Sequence, residues 1–87
     1  MKDKVEHLAY ILDLPAEALT GAAKLTVTGR RQALIENHRG IINYDENTVT
    51  VSCEGYRLSI RGDDMRLEGM NDNDMLLTGR ILSVEFE

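Results

Sequence analysis

One cysteine, one proline, no tryptophan and only four aromatic side chains (Tyr10, Tyr44, Tyr56 and Phe86) stand among the 87 residues of this chain. A single cysteine excludes an internal disulfide and fits a reducing compartment. The shortage of aromatic rings removes most of the stacking platforms that a single-strand nucleic-acid binder uses. No apolar stretch approaches the roughly 18 residues of a membrane helix, and no basic segment leads into an apolar run near the start. The chain therefore reads as neither membrane-spanning nor exported by an ordinary signal. Positive charge is also in deficit: the formal net charge is −5, whereas a general nucleic-acid binder needs cations to displace counterions from phosphates.

The charge that is present is unevenly placed. Residues 24–40 hold Lys24, Arg30, Arg31 and Arg39 against Glu36, a net +3, which leaves −8 on the rest. A basic patch on an acidic chain suits a protein partner or a self-contact better than DNA. Length points the same way. A single domain of this size buries a smaller fraction of its surface than an average one does. Its stability must come from ladder pairing, a compact core or self-association, so a homodimer is expected on physical grounds.

Beyond Gly21 the apolar residues recur with period two. Leu25 and Val27 alternate with threonines, Val49, Val51 and Cys53 with Thr48, Thr50 and Ser52, and Leu58 and Ile60 with Arg57, Ser59 and Arg61. Such alternation sets one face on a core and the other in water, and the β-branched content favours strands. The expected fold is all-β: a small antiparallel barrel or cylinder of two curved sheets, with five to six strands.

The apolar phase is odd up to Cys53 and even from Tyr56, so one residue is absorbed at Glu54–Gly55. A two-residue hairpin pairing Cys53 with Tyr56 would do this, as would a glycine bulge in one long bent strand. The bulge is the favoured reading, because small closed β-structures use such bends. A weak repeat places turns at Gly29, Glu46, Gly62 and Gly79, spaced 17, 16 and 17 residues apart. It reads as successive strand–turn–strand units of a meander rather than a solenoid, whose signature needs more copies.

Residues 1–20 differ in kind. Val5, Leu8, Ile11 and Leu12 fall at helical spacing, and Pro15 ends the pattern. The division is thus a short N-terminal helix or flexible tail over 1–20 and a β domain over 21–87.

Leu34–Tyr44, LIENHRGIINY, sets Glu36, Asn37, His38 and Arg39 between apolar runs. Glu36, His38 and Asp45 are acid–base types, but no serine, cysteine or lysine nucleophile is tied to them and no glycine-rich phosphate loop is present. Asn tolerates left-handed backbone angles and Gly40 takes them freely. The segment therefore reads as a β-turn with an exposed polar crown, not an active site. Asn71-Asp72-Asn73-Asp74 suggests a calcium loop, but counting from Asp72 the required glycine and glutamate positions hold Leu77 and Ser83. His7, His38 and Cys53 do not suggest zinc. No catalytic residue, metal or cofactor is expected, and Cys53 reads as core.

Flanked as LTVTGRRQALIENHRGIINYDENTVTV (residues 25–51), this motif resembles the signature of the YabP/YqfC family of sporulation proteins. The resemblance runs from about Leu12 to Ile81 and is most specific in IENHRGII. With the DLP element it lies closer to the YqfC branch. It implies a YabP-like β domain and a non-enzymatic role in spore coat or cortex assembly within the mother-cell cytoplasm, at the forespore outer membrane surface. It also implies a sporulation membrane-protein partner, with no membrane insertion by this chain itself. On that reading Arg30, Glu36, Asn37, His38, Arg39 and Gly40 contact the partner.

The strands at Ala23–Gly29 and Leu82–Phe86 are expected to be the sheet's two ends. Neither is heavily charged or broken by proline, the usual protections of an edge, so Leu25, Val27, Leu82, Val84 and Phe86 are the expected homodimer interface. The alternative is a small nucleic-acid-binding barrel reading backbone through Lys24, Arg30, Arg31 and Arg39.

Overall fold

The alternating segments do become strands. In the computed structural model, which describes residues 21–87, six antiparallel strands are present. They are β1 (Lys24–Thr28), β2 (Gln32–Glu36), β3 (Gly40–Tyr44), β4 (Thr48–Cys53), β5 (Tyr56–Met70) and β6 (Met75–Phe86). The expected N-terminal helix or tail lies outside the described residues.

All six strands form one sheet in the order β1-β2-β6-β5-β4-β3. The all-β expectation holds, but two separate curved sheets are not what forms. Long strands explain why. β5 and β6 run 15 and 12 residues and pair with one another from end to end. The first half of β6 pairs on its other side with β2, and the first half of β5 pairs with β4. One bent hairpin thus carries two limbs.

The bend sits where the repeat placed its last two turns. Gly62 and Gly79 do not reverse the chain; they lie inside β5 and β6, and the register shifts at Arg61/Gly62 and Asp63/Arg66. A side chain on Gly62 would run into the Arg80 carbonyl, and one on Gly79 would come within 2.7 Å of the Asp64 carbonyl and Met65 Cα. Gly79 has φ +134 and Asp64, opposite it, φ 50. The two strands therefore approach closely and bend together, which makes these positions bulges rather than turns.

At Glu54–Gly55 the outcome is the reverse. The chain turns back in a two-residue hairpin with Cys53 opposite Tyr56, Val51 opposite Leu58 and Val49 opposite Ile60. Gly55 supplies the positive φ, 86°. The favoured bulge is wrong here, because β4 and β5 each gain a full ladder by pairing with each other.

The core lies between the limbs. Ala33, Ile35, Met65, Met75 and Leu77 come from the β2 side, and Val49, Val51, Cys53, Leu58 and Ile60 from the β4 side. Met65 and Met75 fill this core, whereas Met70 is exposed. On the other face of β4 and β5, Thr50 and Ser59 are buried with their hydroxyl oxygens 2.8 Å apart.

β1 and β3 are the outermost strands of the sheet, and among the described residues the Leu82–Phe86 half of β6, with β5 on one side only, is open on its other side. Leu82–Phe86 belongs to the third strand in the order, although β2 runs beside only the Met75–Thr78 half. No ladder joins β1 to β3 among the described residues.

Candidate functional site: the connector between β2 and β3

Only Asn37, His38 and Arg39 separate β2 from β3, yet the two strands stand four places apart in the sheet. In a flat sheet four steps would span about 19 Å. Four extended residue steps from Glu36 to Gly40 reach no more than about 14 Å. The sheet must therefore curl until the ends of β2 and β3 approach, and this short connector is what fixes the curl.

Its bonding matches that task. Asn37 has φ 64 and Gly40 φ 139, so both hold the left-handed conformations expected of them. The Asn37 amide N–H donates to Asp74 Oδ1 at 3.0 Å, and its side-chain nitrogen donates to the carbonyls of Gly21 (3.2 Å) and Ala22 (3.1 Å). The His38 N–H donates to the Asn73 carbonyl and the Arg39 N–H to that of Ser52. One three-residue segment thereby ties the chain entering β1, the β5–β6 turn and β4 to one another.

The expected polar crown is not exposed. His38 is 3% exposed, and Glu36, Asn37 and Gly40 are half-buried; only Arg39 is open to solvent. The positive φ at Asn37 breaks strand alternation and turns the imidazole inward. The Gly40 N–H donates to His38 Nδ1 at 3.0 Å. In the neutral ring the proton then sits on Nε2, which is buried and has no acceptor among the described residues. Leaving such a donor unpaired costs about 1–3 kcal/mol. Arg39 makes an exposed ion pair with Glu54 at 3.6 Å, rather than with Glu36.

Sequence reading missed the residues that hold the connector from outside. Asn71 Oδ1 accepts from the N–H groups of Asn73 and Asp74, and Asp74 then meets Asn37. The Asn-Asp-Asn-Asp run fails as a calcium loop, and the side-chain-to-backbone turn chemistry of its residue types is the signal that could have found it. Among the described residues no group of three or more His, Cys, Asp or Glu could hold a metal.

Arg30 lies apart, with Arg31, in the exposed β1–β2 turn. Both contribute through their backbones, their carbonyls accepting from Ile81 and Gly79 N–H. Of the residues expected at a dimer interface, Leu25 and Val84 pack partly against the core, while Val27, Leu82 and Phe86 are exposed. The Phe86 ring lies against that of Tyr56, their centroids 5.9 Å apart.

Three titrations carry information. Burial pushes the Cys53 thiol above its ordinary value, as expected of a core cysteine. Burial, followed by its neighbour Cys53, raises Tyr56. In the β3–β4 turn, backbone N–H groups of Asn47 and then Thr48 hold Asp45 below its ordinary value.

A family model described as the YabP family matches residues 20–87, all six strands and the connector among them. The chain belongs to the YabP family. A Bacillus subtilis (strain 168) protein named uncharacterized protein YqfC is 28% identical over 79 residues, which is 91% of this chain and 85% of that relative. No solved structure matches the chain. Among the described residues no helix is long and apolar enough to cross a membrane.

Proposed function

We propose that this YabP-family chain is a non-enzymatic sporulation protein that acts in spore coat or cortex assembly by protein–protein contact. The observation that carries the reading is the family match over residues 20–87, joined to a motif whose polar residues are used up in scaffolding. Asn37, His38 and Gly40 bond within the chain, so Arg30, Glu36 and Arg39 are the members of the motif region left to meet a partner. The module acts as a homodimer through Leu25, Val27, Leu82, Val84 and Phe86, in the mother cell. A membrane protein of the forespore envelope recruits it. What supports self-contact is the exposed apolar surface of Val27, Leu82 and Phe86, at 42%, 55% and 71%.

Deletion of the gene in a sporulating host, with co-purification of the tagged protein, tests the role. Loss of heat-resistant spores and recovery of a specific envelope protein are expected. Normal spores with no specific partner would remove the proposal. Light scattering after size exclusion tests the dimer, and a monomer at high micromolar concentration would sink it.

A further inference from the structure

β3 is the sheet's other edge, and it has none of the charge that usually blunts one. Its five residues, Gly40-Ile41-Ile42-Asn43-Tyr44, contain no charged side chain and no proline. Ile41, Ile42 and Tyr44 are 38%, 50% and 45% exposed. Among the described residues its sole ladder neighbour is β4, so apart from the Gly40 N–H, which His38 accepts, the amides and carbonyls of its other side are open to pairing. The opposite edge, β1, differs: it opens on Lys24 and presents Thr26 and Thr28 to water.

Charges flank β3 with opposite signs. Arg39 precedes it, half-exposed and held only by the loose surface pair with Glu54. Asp45 and Glu46 follow it, both exposed. We propose that β3 pairs antiparallel with β3 of a second copy, with the two-fold axis passing through Ile42. In that register Arg39 of each copy faces Asp45 of the other, Tyr44 covers Gly40, Ile41 faces Asn43, and Ile42 faces itself. Opposite charges directly across a ladder stabilise it, and an aromatic ring over an edge glycine does so too. A parallel arrangement would instead set Arg39 on Arg39 and Asp45 on Asp45.

Local geometry is compatible with this register. The irregularity between Ile41 and Asn43 in the β3–β4 ladder falls on the axis, so both copies meet it identically. The backbone donors of Asn47 and Thr48 both use Asp45 Oδ1, and the exposed carboxylate stays charged to meet Arg39 of the other copy. Tyr44 is already braced, its hydroxyl oxygen accepting from Leu67 N–H at 3.1 Å. A five-residue ladder is short, so the association is weak and concentration-dependent. Joined to the terminal-strand dimer proposed above, it would give each chain two different two-fold contacts, which close into a tetramer or ring where the axes meet and extend as an array where they do not. The β3 contact does not depend on that dimer.

The test places Cys at position 42 of the full chain, leaving the buried Cys53 in place. Under mild oxidation Ile42→Cys is expected to form a covalent dimer at least tenfold faster than Met70→Cys, an exposed control outside β3. Asn43→Cys, which faces position 41, should be no faster than the control. Ile42→Lys should abolish the concentration-dependent mass increase in light scattering while leaving the circular dichroism and melting temperature of the fold unchanged. Equal cross-linking rates for Ile42→Cys and Met70→Cys, or an unchanged mass for Ile42→Lys, overturn β3 pairing. Leu82→Lys separates the two contacts. If it dissociates the protein and Ile42→Lys does not, the terminal-strand dimer stands and β3 pairing falls; the reverse result keeps β3 and removes the terminal-strand interface.

Discussion

Two short polar turns follow one another in this chain and do opposite work. Gly29-Arg30-Arg31 joins β1 to β2, which are sheet neighbours, and Asn37-His38-Arg39 joins β2 to β3, which are not. The first is needed only to reverse the chain, so its side chains are left in water and its carbonyls alone are tied to β6. The second sits where the sheet folds back on itself. Its backbone bonds to the β5–β6 turn and to β4, and its histidine is buried. Polar density in sequence is similar in the two; what separates them is the spatial distance each has to close.

That contrast can be broken by substitution. His38→Ala removes a buried ring and leaves the Gly40 N–H without its acceptor, so a loss of about 2–4 kcal/mol in chemical denaturation is expected. A loss under about 1 kcal/mol would show that the connector is not a structural centre. Asn37→Ala comes next. It removes two side-chain bonds and forces alanine into φ 64, at a cost of about 2 kcal/mol. Asn37→Gly should recover the backbone share, about 1 kcal/mol; equal losses for both variants would mean that backbone conformation is not part of the cause.

A smaller effect belongs to the β3–β4 turn, which joins neighbours as the first turn does but uses a charged side chain. Amide donors hold the Asp45 carboxyl below its ordinary value of 3.8. Its contribution is therefore full above that value and is lost as pH falls through the lower folded one. Asp45→Asn should flatten the acid limb of the melting temperature against pH; an unaltered limb would assign acid sensitivity elsewhere. The smallest changes are expected at Arg30→Ala and Arg31→Ala, each within about 0.5 kcal/mol. If Arg30→Ala leaves stability intact yet abolishes partner recovery, the exposed turn is the docking surface and the buried one its frame.

The ways in which sequence reading succeeded and failed follow from the same physics. Val49, Val51, Cys53, Leu58 and Ile60 could be assigned to one buried face because alternation is local and needs no knowledge of the neighbour. Glu54–Gly55 and Gly62 could not be told apart by that means. Both are glycine-associated breaks, and a phase slip looks alike whether the chain reverses or bends. Which occurs depends on the opposite strand: β4 finds a partner in β5, while Gly62 finds Arg80 and Met65 packed against it. The left-handed conformations of Asn37 and Gly40 were readable from residue type. The burial of His38 was not, because it depends on a roll of the sheet that four intervening strand spacings impose.

The sequence by itself determined the strands, the inward face of the central hairpin, the position of each break and the family, since all of these rest on residue type and near-neighbour period. Only the tertiary structure decided that the polar motif is a buried clasp, that β6 is an inner strand and that the uncharged β3 is an edge. Those properties come from the order in which strands lie side by side, and a short connector between distant strands fixes that order in space through contacts no local pattern encodes.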